Sequence, residues 1–141
     1  MGLFTNLFSQ KVQAKPSSKK QVVALMGVAK FDIEVLVEDC HQAALNAIGG
    51  PRKSRGVNRF ETARLILEDK NPQDINAVRV EIRGKPVGYL SPQHAILVRR
   101  QLSTKDMPKA DGECQAAIRG GWISSDGREG DYEVWLDLPN W

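Results

Sequence analysis

Cysteine is scarce in this chain of 141 residues: it carries only Cys40 and Cys114, and neither belongs to a CxxC pair. That excludes a disulfide scaffold and a thiolate zinc site, and it points to a reduced, cytoplasmic protein. Histidine is as rare. His41 and His94 lie far apart with no ligand spacing around either, so no metal is expected. No stretch approaches the roughly 18–20 consecutive apolar residues of a membrane span, and no secretory leader is evident. The P-loop, GxGxxG and GxSxG elements are missing too. Cys40 beside His41 is no catalytic dyad, because neighbouring helix residues diverge. The expectation is a binding module, with no catalytic residue and no cofactor.

Acid is missing from the first thirty residues, which hold Lys11, Lys15, Lys19, Lys20 and Lys30. Setting those five aside leaves 15 basic against 17 acidic residues, so the net charge of +3 belongs to the arm, not to the body. Residues 1–30 therefore read as a flexible basic arm. Within it Leu3, Phe4, Leu7 and Phe8 form an i,i+4 apolar stripe if helical, suited to a protein partner or a membrane surface. A tail without fixed structure is the plainer reading of the same composition.

What is present from residue 31 onward alternates in a readable way. Phe31, Ile33, Val35 and Val37 mark a half-buried strand. A capping pattern at Asp39 and Gln42 opens a short helix that Gly49-Gly50-Pro51 stops. Phe60–Glu68 is a strand with Ala63, Leu65 and Leu67 on one face, and Ala77–Ile82 is the next. Arg83-Gly84-Lys85 turns a hairpin into Val87–Leu90. Ser91-Pro92 starts a second helix carrying Ala95, Ile96, Val98 and Leu102. Strands at Glu113–Ile123 and Tyr132–Leu138 finish the chain. The order is β-α-β-β-β-α-β-β, which predicts a mainly β fold: a small barrel of about six strands with two short helices.

Two blocks carry a resemblance. Asn71-Pro72-Gln73-Asp74-Ile75-Asn76-Ala77-Val78, then Gly84-Lys85-Pro86-Val87-Gly88-Tyr89-Leu90, resemble the signature of the HIRAN family, over about residues 31–139. The resemblance implies an OB-like barrel that binds single-stranded DNA and captures its 3′ end. The Asn-Pro-aromatic-Asp turn would line the pocket, with Asn71 and Asp74 in the polar roles. Gln73 stands where the family has its aromatic, and a base stacked there is worth ~1–3 kcal/mol.

Further contacts to DNA are expected from the basic run Arg52, Lys53, Arg55, Arg59 and Arg64, from Lys85 at the hairpin tip, and from Tyr89. Each has a plainer alternative: a solvated loop for the charges, helix packing for Tyr89, a self-satisfied turn for Asn71 and Asp74. Trp122 and Trp135 sit in strand patterns and read as core. A protein-interaction adaptor working through its N-terminal stripe is the competing functional reading.

Overall fold

The computed structural model describes residues 20–140. The arm's apolar stripe, Leu3 to Phe8, and Trp141 lie outside them. Among the described residues seven strands form one sheet: β1 (Val22–Ala24), β2 (Ile33–Glu34), β3 (Arg59–Leu67), β4 (Val78–Ile82), β5 (Lys85–Tyr89), β6 (Asp111–Gly120) and β7 (Tyr132–Asp137). Two helices, α1 (Gln42–Gly49) and α2 (Pro92–Thr104), complete it. The sheet order is β2-β7-β6-β3-β4-β5, antiparallel throughout, with β1 added parallel to β6. The protein is thus mainly β, a curled half-barrel with two short α-helices among the described residues.

The curl comes from one crossing of the chain. Val35 still donates to Val134 of β7 at 2.9 Å, but Leu36 exchanges both backbone hydrogen bonds with Tyr89 of β5, at 2.8 and 3.1 Å. The first and last strands of the path therefore meet at a single bridge. Gly88, at φ 151°, makes that approach possible, because a Cβ there would strike the Leu36 carbonyl. A register shift between Val80 and Glu81 adds local twist.

Strand parity decides the inside. Ala63, Leu65 and Leu67 of β3 face Cys114 and Gly112 of β6 and Ile82, Val80 and Val78 of β4. Tyr132, Val134 and Leu136 join them from β7, all fully buried. Each large aliphatic side chain so buried contributes ~1.5–3 kcal/mol. Helix α1 adds Leu45 and Ile48, and α2 adds Ala95, Val98 and Leu102. The expected helix signals hold. Ser91 Oγ accepts from His94 N–H at 3.2 Å with Pro92 in the first turn, and Gly50 ends α1 at φ 93°. Arg83 and Gly84, at φ 53° and 76°, make the tight hairpin turn.

Other expectations shift. A short 3-10 turn, Asp39–His41, precedes α1, and its capping box joins Glu38 to His41 rather than Asp39 to Gln42. Strand β6 ends at Gly120, because Gly120 and Gly121 both adopt left-handed φ. The ordered body begins before residue 31: β1 pairs with β6, and Leu25 is only 1% exposed. Trp122 and Trp135 are not core. Trp122 is exposed and Trp135 half-buried on the sheet's outer face, while Tyr132 fills the interior.

Candidate nucleic-acid interface

The segment between β3 and β4 folds back on itself through its own side chains. Asn71 Oδ1 accepts from the backbone N–H groups of Gln73 and Asp74, at 2.9 and 3.2 Å. Its amide Nδ2 donates to Glu68 Oε1 at 2.9 Å. Asp74 Oδ1 accepts from Asn76 N–H at 2.9 Å. Its other oxygen, Oδ2, accepts no hydrogen bond from the described residues. These are Asx-type turns, in which a short polar side chain replaces a backbone partner. Gln73 is exposed.

Glu68 is the hub beneath the turn. It receives Asn71, the Tyr89 hydroxyl at 2.9 and 3.0 Å, and the Arg79 guanidinium, which also donates to Glu81 at 2.9 Å. Burial pulls the Glu68 pKa up, but the hydrogen bonds from Asn71, Tyr89 and Arg79 together outweigh it and hold the carboxyl below its ordinary value. Burial and the Glu68 charge push the Tyr89 phenol up. From the other side α2 reaches in with Arg99, which donates to the carbonyls of Asn76 and Ala77 at 2.9 and 3.1 Å and to Asp69 at 2.7 Å. The Arg99 hydrogen bond is the main reason the Asp69 pKa falls.

A hollow of about 490 Å³ opens beside this turn, walled by the run from Leu67 to Pro72. Leu67, Glu68 and Asp69 are among its lining residues, and the two carboxylates are matched by Arg79 and Arg99. Lys70 lies exposed on its wall with no ion pair among the described residues. Tyr89, tied to Glu68, brings an aromatic ring to the same neighbourhood. The arrangement offers an apolar surface, a ring, one carboxylate oxygen with spare acceptor capacity and one unpaired ammonium.

The basic run from Arg52 to Arg64, which extends into β3, does not form one patch. Arg52 lies 4.9 Å from the Tyr132 ring centroid, pairs with Glu129 at 3.4 Å and donates to the Gly130 carbonyl. That is a structural clamp on the β6–β7 connection. Arg59 is held by Glu61 at 3.0 Å, which Arg83 also grips, and Arg64 faces Glu113 at 3.6 Å on the outer sheet. Lys53 pairs through its backbone with Gly121 and Ile123. The side chains of Lys53, Arg55 and Lys85 are exposed and make no ion pair among the described residues. So the structure brings Asn71, Gln73, Asp74 and Tyr89 together, and spreads the six cations over several faces.

One exposed feature was missed by sequence reasoning. Phe60 is 59% exposed and its ring lies 5.1 Å from that of Phe31, on the outer face of β3. Arg119 sits 5.7 Å from the neighbouring Trp135 ring. The signal was available: Phe60 has the opposite parity to Ala63, Leu65 and Leu67, so an inward-facing β3 had to turn it outward. Among the described residues no group of three or more His, Cys, Asp or Glu side chains is placed to hold a metal ion, and no helix is long and apolar enough to cross a membrane. The fold and site define a mainly β protein with a candidate ligand hollow beside an Asx-rich turn. Comparison with family models, curated proteins and solved structures finds no match for this chain.

Proposed function

We propose that this protein is a non-catalytic, HIRAN-like module that binds single-stranded DNA, taking the strand's 3′ end into the hollow beside Asn71–Asp74. The observation that carries the reading is that Asn71 and Pro72 of that turn line the 490 Å³ hollow, while Asp74 Oδ2 in the same turn has no donor among the described residues. A terminal hydroxyl is such a donor. Asn71 shapes the turn, since its Oδ1 accepts from two backbone N–H groups and its Nδ2 donates to Glu68. Tyr89 takes the stacking role that Gln73 cannot fill, and Lys70 meets the nearest phosphate.

The acidic floor limits the number of phosphates engaged. Glu68 and Asp69 are neutralised by arginines, not reversed in sign, so affinity rests on stacking and end recognition more than on charge. Salt dependence should accordingly be shallow beside that of a protein making 6–10 phosphate contacts, which loses roughly 10³–10⁵ in affinity between 50 and 200 mM salt.

Fluorescence anisotropy of a labelled oligonucleotide with the full chain tests this. A 3′-hydroxyl end should bind about tenfold or more tighter than a 3′-phosphate, because a phosphate monoester would face the Asp74 carboxylate. Asp74→Ala should erase the difference. Equal binding of both ends by the unaltered protein would refute end recognition.

A further inference from the structure

Strand β3 joins the hollow to the exposed Phe60 ring along one face. Its even positions point outward: Phe60, Thr62 and Arg64 are exposed and Ile66 half-buried, while Ala63, Leu65 and Leu67 are buried. Alternation carries the same face on to Glu68, which with Leu67 helps to wall the hollow. The steps from Leu67 back to Phe60 span about 23 Å at ~3.3 Å per residue. Midway lies a second hollow of about 320 Å³, lined in part by Thr62, Arg64, Ile66 and Arg83.

The far end is a small aromatic platform. In the register Phe60 lies opposite Ala117 of β6, and Ala117 opposite Trp135 of β7. Phe31 sets its ring 5.1 Å from that of Phe60, and Ala117 within the row is fully buried. The backbone is strained to hold Phe31 there. It adopts φ 48° and Ala29 φ 66°, values that side chains with a Cβ rarely take. Asp137 pins this bend by accepting from the Ala29 and Lys30 N–H groups, both at 3.0 Å. Arg119 donates to the Phe31 carbonyl at 3.5 Å and lies 5.7 Å from the Trp135 ring.

Chemistry selects the occupant. Thr62 follows Phe60 on the same face, and Gln115 and Arg119 lie diagonal to it on β6, so polar groups border the rings. An apolar area of a few rings falls well short of the roughly 1,000 Å² that a stable protein interface buries. A flat exposed ring in polar surroundings matches a base, whose stacking needs no apolar border. Charge along β3 is balanced, since its arginines face Glu61, Glu68, Glu81 and Glu113. Arg64 is held most loosely, 3.6 Å from Glu113 with the two side chains 44% and 40% exposed. Such a pair contributes little, and its guanidinium is free to turn to a phosphate. Glu34 and Glu133 flank Trp135 and keep phosphates on the β3 side.

We propose that the outer face of β3 is the track for the single strand upstream of its 3′ end. A phosphate meets Arg64 in the mid-strand hollow, and a base stacks on Phe60 and Phe31. This rests on the reading of the hollow at Leu67–Pro72 as the seat of the 3′ end, and it sets how much of the strand the protein engages. At the ~3.4 Å rise of stacked nucleotides, about seven cover the span.

Anisotropy with the full chain tests it, comparing a labelled trinucleotide, which fills only the hollow, with a decanucleotide; both end in a 3′-hydroxyl. The longer strand should bind about fivefold tighter or more, the contribution of one stacked base. Phe60→Ala should bring the decanucleotide down to the affinity of the trinucleotide, and Phe60→Trp should keep the gain. Arg64→Gln should reduce the salt slope of the decanucleotide by roughly 0.7. Equal affinities for the two lengths, or a full gain in Phe60→Ala, would overturn the proposal. So would an unaltered chain that dimerises through Phe60, since a second copy would then cover the rings. The two readings fail apart. A length gain that needs Phe60 but ignores a 3′-phosphate sinks the hollow and keeps the platform, whereas a strict 3′ preference without a length gain sinks the platform alone.

Discussion

Replacing Glu68 with alanine should loosen the candidate site from beneath. The carboxylate accepts from Asn71 Nδ2 at 2.9 Å, from the Tyr89 hydroxyl at 2.9 and 3.0 Å, and from Arg79. A neutral hydrogen bond contributes ~0.5–1.5 kcal/mol net and a charged one ~1.5–3. The side chain is 17% exposed, and Arg79 keeps Glu81 at 2.9 Å while Tyr89 can turn to water, so the low ends apply. The expected cost is about 2 kcal/mol, read as a shift in the urea midpoint of the full chain with an unchanged slope. The pH dependence supplies a second check. The Glu68 pKa is lower folded than unfolded, so its contribution is complete above the ordinary value of 4.5 and fades as the pH falls through the folded value. The gap between wild type and Glu68→Ala should therefore narrow in acid. A cost under about 0.5 kcal/mol at neutral pH, or an equal cost in acid, would refute the hub.

Two further outcomes are expected. Burial, with Asp137 and Glu113 nearby, pushes the Cys114 thiol up to about 12, whereas Cys40 is exposed; one alkylation at Cys40 and none at Cys114 should appear by mass spectrometry of the native protein at neutral pH. Asp137→Ala should cost about 2–3 kcal/mol and speed amide exchange at Ala29 and Lys30, whose N–H groups it leaves without acceptors beside the left-handed Ala29 and Phe31; unchanged exchange there would contradict the assignment.

Local signals were legible in the chain and distant ones were not. The N-cap at Ser91, the glycine stop of α1 and the Arg83-Gly84 turn each depend on neighbouring residues, and all stand where the sequence puts them. The period-two faces of β3, β4 and β7 also follow directly from apolar spacing. Strand β1 escaped notice because three residues cannot show a period, and its parallel partner lies across the chain at Asp111–Glu113. The basic run looked like a DNA patch because its counter-charges are far away in sequence: Glu129 for Arg52 and Glu113 for Arg64. Likewise the Asn71–Asp74 turn could be read as a turn, but its seat on Glu68, Tyr89 and Arg99 needed the folded sheet.

The central claim is that a single strand enters the hollow walled by Leu67–Pro72, beside the Asn71–Asp74 turn. Its most direct test is a titration of the isotope-labelled full chain with a short 3′-hydroxyl oligonucleotide, following backbone amide shifts by NMR. The account predicts saturable shifts concentrated at residues 67–74 and 89, with the region around Val22–Val28 unmoved. Shifts confined to the exposed Phe31–Phe60 face, or no shifts at all, would contradict it.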